Sequence, residues 1–279
     1  MKVGVLGGGR MGAGIAHAFL LAGSEVVVVE RDDATADAAT ARIRDSIARS
    51  VERGATAANA QVLEGALAVG IDIAAFAGCE LVIEAVPEDR ALKVDALRRM
   101  EAAAPDAVLA SNTSSISIDA LASALTRPER FLGLHFFNPV PASALVEIVV
   151  GSATDPSLVD AGRGWIEMIG KTPIIVRDSP GFASSRLGVA LALEAIRMLE
   201  AGVASAEDID RAMELGYRHP MGPLRTTDVV GLDVRLGIAE ELQAELGDRF
   251  APPDLLRRLV ADGKLGRKSG EGFYEWETP

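Results

Sequence analysis

The chain contains three histidines, and their positions differ in the chemistry that they could do. His17 lies in a helical segment and His219 in a loop, so a structural role explains both best. His135 instead stands near the end of a strand-like run, Phe131–Phe136. Ligands of open parallel sheets bind at the carboxyl ends of strands, and an imidazole can accept a proton at neutral pH. His135 is therefore the candidate general base.

A carboxylate, Glu147, follows His135 by 12 residues within the apolar run 144–150. Its neighbours Val146 and Ile148 predict a strand that is buried on both faces. A buried carboxylate is costly unless it is paired, and His135 is the natural partner. The alternative is an edge-strand carboxylate that faces water.

A glycine-rich turn near the start of the chain predicts a dinucleotide site. Gly7, Gly9 and Gly12 form a G-x-G-x-x-G pattern that closes one strand and opens a helix. This pattern provides a tight turn, close backbone approach and a helix N-terminus directed at a pyrophosphate. Arg10 and Met11, between the last two glycines, are assigned to the same cofactor loop. A structural turn without a ligand is the alternative.

Glu30 ends the next strand, 18 residues after Gly12. A carboxylate there can accept hydrogen bonds from the adenosine ribose hydroxyls. It would repel a 2'-phosphate, although Arg31 next to it could soften that discrimination. NAD is therefore expected rather than NADP.

The elements that must position these residues alternate between strand-like and helical segments. Strands are predicted at residues 2–6, 25–29, 81–86, 108–110, 131–136, 144–150 and 173–176, and helices at 11–22, 34–53, 92–103 and 156–169. Such alternation predicts an α/β fold, a Rossmann-type doubly wound and mostly parallel sheet. The Ala- and Arg-rich stretch between residues 31 and 76 is interpreted as a helical insertion, a pair projecting from the sheet.

The strand pattern ends at the sequence Asp178-Ser179-Pro180-Gly181. Helices are predicted beyond it at residues 182–201, 206–215, 224–246 and 253–262. We therefore expect a cofactor-binding domain at 1–179 and an all-α domain at 180–279, which would serve substrate closure and formation of a homodimer.

Composition excludes several classes of protein. The chain has 279 residues, of which 49% are hydrophobic, and a formal net charge of -12, which disfavours nucleic acid as a partner. Its one cysteine cannot form an internal disulfide, and no cluster with metal-ligand spacing accompanies it. Apolar runs are too short to span a membrane, and no signal-type segment is recognised, so the cytoplasm is expected.

Several segments in order carry a resemblance to a known family: GVLGGGRMGAGIA from Gly4, LVIEAVPED from Leu81, ASNTSSISI from Ala110, GLHFFNPVP from Gly133, HPMGPL from His219 and LGRKSGEGFYEW from Leu265. Over essentially its whole length the sequence resembles the 3-hydroxyacyl-CoA dehydrogenases, and the short-chain members acting on 3-hydroxybutyryl-CoA are the most similar. The resemblance implies reversible, NAD-dependent oxidation of an L-3-hydroxyacyl-CoA to the 3-oxoacyl-CoA.

The resemblance also implies roles for catalytic residues. His135 would take the hydroxyl proton, Glu147 would orient the imidazole, and Ser114 would hydrogen-bond the substrate's 3-oxygen. Ser115 and Ser117 are better explained as helix caps. Where the family has an asparagine after Pro-Gly-Phe, this chain has Ser185, whose shorter hydroxyl would hold the reacting oxygen less directly.

Further binding residues follow from the resemblance alone. Glu88, Lys93 and Asn138 match positions that contact the cofactor, and Lys268 is a candidate that could reach the cofactor from the all-α domain. A solvated Glu and Lys at the start of a helix is the alternative for Glu88 and Lys93. The candidates for the CoA phosphates are Arg42, Arg44, Arg49 and Arg53, of which Arg49 and Arg53 are assigned to substrate binding, although surface arginines are solvated by default.

Two rival functions stay open at this point. One is a dehydrogenase of the same fold that acts on a free 3-hydroxy acid. The other is a non-catalytic NAD-binding protein, which the serine at position 185 suggests and the His135, Glu147 and Ser114 set opposes.

Overall fold

A computed structural model describes residues 1–277 and divides the chain into two compact units. The first unit is Met1–Ser179, and the second begins at Pro180. The first contains every strand of the sheet, and the second contains helices and two isolated β-bridges.

The first unit is built on one sheet of eight strands in the order β3-β2-β1-β4-β5-β6-β7-β8. The strands are β1 Lys2–Leu6, β2 Glu25–Val29, β3 Leu67–Gly70, β4 Leu81–Glu84, β5 Val108–Ser111, β6 Phe131–Phe136, β7 Leu145–Val150 and β8 Thr172–Arg177. All neighbours are parallel except β6 and β7. The central strands β4 and β6 are buried at every residue, as expected for a sheet with helices on both faces, and Glu84 and His135 are their polar members. The predicted doubly wound sheet is confirmed.

Six helices of this unit are α1 Arg10–Leu21, α2 Asp33–Glu52, α3 Ala60–Gly65, α4 Arg90–Ala103, α5 Ile118–Ala122 and α6 Ser157–Met168. Side-chain caps fix several of their starts. Asp32 accepts a hydrogen bond from the Thr35 amide at 2.8 Å, and Asp89 accepts one from the Leu92 amide at 2.9 Å. These caps determine where the chain leaves each strand end and enters its helix.

The prediction for residues 31–76 was incomplete. The expected helices are α2 and the much shorter α3, but the edge strand β3 follows them and was missed. The middle of α2 does not project, because Ile43 and Ile47 are fully buried in the core of the sheet unit. The insertion therefore consists of one long helix that packs in the core, one short helix and an edge strand, instead of a projecting helical pair.

The second unit contains α7 Ser184–Glu200, α8 Ala206–Tyr217, α9 Pro223–Val230, α10 Leu232–Leu246 and α11 Asp254–Ala261. The single helix predicted at residues 224–246 was wrong, because Gly231 at φ 106° separates α9 from α10. L-residues with a side chain rarely adopt such a positive φ. Buried residues such as Leu193, Leu224 and Leu242 form this unit's core.

Within residues 1–277, no helix combines the length and the apolar character that crossing a membrane requires.

Two buried aspartates accept hydrogen bonds that hold residues 273–276 against the helices of the second unit. Asp228 accepts hydrogen bonds from the amides of Phe273 and Tyr274 at 2.9 and 3.0 Å and from Trp276 Nε1 at 2.8 Å. Asp210 accepts one from the Tyr274 hydroxyl at 2.7 Å. Burial is the main cause that raises the pKa of Tyr274, and the bond to Asp210 raises it further.

Asp228→Ala is therefore expected to lower the free energy of unfolding by about 3 kcal/mol, because three partly buried donors lose their acceptor and a fully buried donor left unpaired costs about 1–3 kcal/mol. Chemical denaturation measures this change, and Asp262→Ala, at an exposed position after α11, is the control. An Asp228→Ala protein as stable as the control would contradict the role assigned to Asp228.

Candidate functional site

His135 and Glu147 form a buried pair across the antiparallel strands β6 and β7. The two residues lie directly opposite each other in the register, which places their side chains on one face. His135 Nδ1 lies 2.7 Å from Glu147 Oε2, and the residues are 5% and 0% exposed. The predicted pairing is confirmed, and the water-facing alternative for Glu147 is wrong.

This pairing has a chemical consequence. A carboxylate that accepts from Nδ1–H fixes the imidazole tautomer, so Nε2 is the nitrogen that can accept a proton. The same carboxylate stabilises the imidazolium formed by that transfer. Phe137 packs on the imidazole with ring centroids 4.5 Å apart, which further restricts the ring. The pair has the arrangement that a general base needs.

The glycine turn between β1 and α1 meets the steric demands of a dinucleotide site. Gly7 has φ 94°, and its amide donates to Val29 O at 2.9 Å. A Cβ on Gly12 would lie 1.7 Å from Gly7 O, so only glycine fits there. A Cβ on Gly9 would meet nothing within 4 Å, which leaves space for a ligand beside the α1 N-terminus.

Two side chains from outside the turn hold it in place. Glu30, at the end of β2, accepts from the Gly8 amide at 2.6 Å through Oε1. Arg42, on α2, donates to Gly8 O at 2.8 Å through Nη1. Arg42 was a candidate for CoA binding, but the structure places its guanidinium on the glycine turn. Glu30 therefore lies at the glycine turn, and its contact with the ribose of the cofactor stays a prediction.

A buried ion pair, Lys93 and Glu84, and the partly exposed Glu88 lie beside the loop that carries Ser114. Lys93 is 1% exposed, and its Nζ lies 2.8 Å from Glu84 Oε1 and 3.2 Å from Glu88 Oε2. Glu84, also fully buried, accepts from Ser111 Oγ at 2.5 Å. A solvated lysine is therefore the wrong description of Lys93. Glu84 was missed by the sequence analysis, although a carboxylate in an apolar strand was a signal.

Glu88 connects this network to Ser114. Its Oε1 accepts from Thr113 Oγ1 at 2.6 Å, the Ser114 amide at 2.8 Å and the Ser115 amide at 3.1 Å. Burial acts to raise the pKa of Glu88, but the Lys93 charge and these hydrogen bonds outweigh it, so the pKa is lowered. An ionised Glu88 thus fixes the backbone at Ser114.

Ser115 and Ser117 differ from one another. Ser117 is the N-cap of α5 and accepts from the Ala120 amide at 3.1 Å, which confirms its predicted role. Ser115 does not cap that helix; its hydroxyl donates to Glu88 Oε1 at 3.3 Å.

The segment after β6, which carries Asn138, is held by its neighbours. Lys171 Nζ donates to Val140 O at 2.6 Å and to Ser143 O at 2.5 Å. At the end of β6 itself, Asn112 Oδ1 accepts from the Phe136 amide at 2.9 Å. Asn112 and Lys171 were not among the predicted residues, because each hydrogen-bonds a backbone group far away in the chain. The cofactor contact of Asn138 stays a prediction.

His17 links α1 to α2, as a structural histidine would. It is buried, and its Nε2 lies 3.0 Å from Ser50 Oγ. Burial is the main cause that lowers the pKa of its imidazole, while a backbone hydrogen bond at Ser46 opposes the change and the charges of Arg49 and Lys171 favour it. The structural interpretation of His17 is confirmed.

The remaining arginine candidates are exposed on or after α2. Arg44 pairs with Glu64 at 3.2 Å, Arg49 donates to Ser46 Oγ at 3.4 Å, and Arg53 is the residue that follows the helix. None of these arrangements points to one ligand, so CoA binding by Arg49 and Arg53 stays a prediction.

Ser185, Lys268 and His219 belong to the helical unit. Ser185 lies in the first turn of α7 and is half-buried. Lys268 Nζ is 2.6 Å from both carboxylate oxygens of Asp233. His219 follows α8 and is partly exposed. The roles of Ser185 and Lys268 toward substrate and cofactor stay predictions.

Comparison with known proteins places this geometry in a family. A model of the 3-hydroxyacyl-CoA dehydrogenase NAD-binding domain matches residues 2–179, and one of the same family's C-terminal domain matches residues 181–276. A 3-hydroxybutyryl-CoA dehydrogenase of Mycobacterium tuberculosis is 44% identical over 99% of this chain and 98% of its own length. A probable 3-hydroxybutyryl-CoA dehydrogenase of Deinococcus radiodurans is 42% identical over 99% and 100%.

A solved structure agrees with these matches. The (S)-3-hydroxybutyryl-CoA dehydrogenase of Ralstonia eutropha superposes with a TM-score of 0.94 at 39% identity and covers 99% of both chains. The buried histidine–glutamate pair, the glycine turn and the full-length matches lead to one conclusion: the chain belongs to the NAD-dependent 3-hydroxyacyl-CoA dehydrogenase family.

Proposed function

We propose that the protein reversibly oxidises a short-chain L-3-hydroxyacyl-CoA, such as 3-hydroxybutyryl-CoA, to the 3-oxoacyl-CoA. The observation that carries the proposal is the buried pair of His135 and Glu147, 2.7 Å apart. An alcohol oxidation needs a base that accepts the hydroxyl proton, and the names of the similar enzymes supply the substrate class.

The residues of the first unit have different roles in the proposed reaction. His135 Nε2 takes the proton from the 3-hydroxyl, and Glu147 holds the imidazole and stabilises its charged form. Ser114, whose backbone is fixed by Glu88, donates a hydrogen bond to the reacting oxygen. Bound NAD supplies the hydride acceptor. Ser185 is proposed as a second donor to the same oxygen on the basis of the resemblance alone.

NAD fits the turn formed by Gly7, Gly9 and Gly12. The open space at Gly9 lets a pyrophosphate approach the amides at the start of α1, with Arg10 and Met11 as the first residues of that helix. Glu88, Lys93 and Asn138 lie on the segments after β4 and β6 and are proposed to shape the nicotinamide side. Lys93, being buried, would act on the cofactor through Glu88.

The experiment that tests the proposal is NADH-linked reduction of acetoacetyl-CoA beside free acetoacetate. Turnover that requires the CoA group is expected. Equal turnover of free acetoacetate would favour a dehydrogenase of free 3-hydroxy acids. NADH binding without turnover on any 3-oxoacyl-CoA would favour a non-catalytic NAD-binding protein.

Glu30→Gln is expected to raise the ratio of kcat/KM with NADPH to kcat/KM with NADH by about tenfold. The substitution removes a negative charge where a 2'-phosphate would lie. It also weakens the hydrogen bonds to the ribose hydroxyls of NAD, which as bonds to a charged group contribute about 1.5–3 kcal/mol. Steady-state kinetics with both cofactors measure the ratio. Glu25→Gln, at the exposed other end of β2, is the matched control. An unchanged ratio in Glu30→Gln would mean that Glu30 serves the Gly8 amide alone.

We propose that the protein is a homodimer that uses its helical unit. Large apolar side chains are exposed on this unit, among them Leu187, Leu215, Tyr217 and Val234. Such groups often mark protein interfaces. Light scattering coupled to size exclusion tests the state, and a monomer at micromolar concentration would contradict it. We also propose the cytoplasm as its location, because its single cysteine is buried and forms no internal disulfide.

A further inference from the structure

Arg235, on α10, places a guanidinium group inside the helical unit. The residue is 8% exposed. Its Nε is buried and has no hydrogen-bond partner within residues 1–277. Burial alone lowers the pKa of the guanidinium, without any effect of a nearby carboxylate. Arginine keeps its charge at neutral pH in such surroundings, so Arg235 is a buried cation without a counter-ion in the described part of the chain.

A buried charge without a partner is expensive, and proteins almost always pair it. The other buried cation described above, Lys93, has two carboxylates beside it. An unpaired one indicates an anion that comes from outside the unit. Among anions, a carboxylate matches the planar fork of a guanidinium, because it can accept two parallel hydrogen bonds.

The guanidinium of Arg235 lies beside Gly188 on α7. A Cβ at Gly188 would lie 3.4 Å from Arg235 Nη1 and 3.8 Å from Nη2. Because Gly188 has no side chain, nothing from that position covers the guanidinium. Ser185 lies three residues earlier and therefore on the same face of α7. Ser185 and Gly188, beside which the guanidinium lies, are thus separated by an axial rise of about 4.5 Å.

We propose that Arg235 is a specificity-determining residue that binds a carboxylate at the far end of the acyl chain. The preferred substrate is then a 3-hydroxyacyl-CoA whose acyl group ends in a carboxylate. This inference rests on the proposed function, in which Ser185 contacts the 3-oxygen. About one turn of α7 separates Ser185 from Gly188, beside which the guanidinium lies, and a few methylene groups beyond the 3-carbon span a distance of this order.

A carboxylate from a second copy of the chain is the other candidate partner. The 8% exposure of Arg235 favours a small ligand group over it, because a side chain on a protein surface has little access to the guanidinium.

The test compares two substrates of equal chain length, 3-oxoadipyl-CoA and 3-oxohexanoyl-CoA, which differ by the terminal carboxylate. In the wild-type protein, kcat/KM for NADH oxidation is expected to be about 10- to 100-fold higher with 3-oxoadipyl-CoA, as a charged hydrogen bond implies. Arg235→Met is expected to abolish this ratio, and Arg235→Lys to retain part of it. Arg211→Met, at an exposed arginine of α8, is the control and should keep the ratio.

Thermal unfolding shows whether each variant is folded, and Arg235→Met is expected to be at least as stable as wild type because a buried charge is removed. Three results would overturn the inference: no preference in the wild type, a preference that persists in Arg235→Met, or dissociation of a dimer on that substitution. Acetoacetyl-CoA is assayed beside them, and failure of all three CoA substrates to oxidise NADH would instead contradict the proposed function, which is a separate result.

Discussion

Replacing His135 by glutamine is expected to lower kcat for acetoacetyl-CoA reduction by about 10³-fold, within the range that general acid–base groups contribute. Glutamine keeps a polar side chain opposite Glu147 but cannot exchange a proton near neutral pH. Stopped-flow or steady-state NADH absorbance measures the loss. Because the pair is buried in the sheet, thermal unfolding must accompany the assay.

Glu147→Gln provides the matched test of the pair. Its amide no longer fixes the tautomer or stabilises the imidazolium, so a large loss in kcat is expected here too. Groups that act as one unit are not additive, so the double variant should be little slower than His135→Gln alone. A loss in kcat of the double variant equal to the product of the two single losses would show that the residues act separately. Full activity in His135→Gln would show that His135 is not the base.

Replacing Lys93 by methionine is expected to lower the free energy of unfolding by about 3–5 kcal/mol, because it leaves Glu84 buried without a counter-charge. Chemical denaturation at pH 7 measures this loss. The double variant Glu84→Gln and Lys93→Met removes both charges and should recover much of the stability. A Lys93→Met protein as stable as wild type would contradict the assigned network.

The same substitution changes the pH dependence of stability. The pKa of Glu88 is lowered in the folded state, so its contribution is present above the unfolded-state pKa and is lost as pH falls through the lowered value. Lys93 is a main source of that lowering. In Lys93→Met the loss of stability on acidification should therefore be smaller between the unfolded-state pKa of Glu88 and its lowered folded-state pKa.

The sequence predicted those parts of the site that depend on local pattern. Gly7, Gly9 and Gly12 lie in one short turn, and His135 lies near the end of a strand whose apolar run is easily recognised. Glu147 was found because a carboxylate among β-branched residues requires a partner. Each of these signals lies within one element or two neighbouring ones.

Other features depend on contacts that local pattern does not contain. Strand β3 is four residues long, Leu67–Gly70, and follows an alanine-rich helical segment, so its pairing with β2 is what defines it. The partners of Glu84 come from α4 and β5, which are adjacent only once the sheet has formed. Gly231 ends a helix through its φ, although its neighbours continue the helical pattern.

The antiparallel register of β6 and β7 has a consequence for how such an enzyme can diverge. Because His135 lies opposite Glu147 in this register, a shift of β7 by one residue would turn the carboxylate to the other face of the sheet. His135 would then lose the group that orients it as a base. Residues 137–144 join the two strands outside the ladder and are free of this restriction. A change of length in that connection would therefore alter the surroundings of the ligand, including the position of Asn138, and leave His135 opposite Glu147.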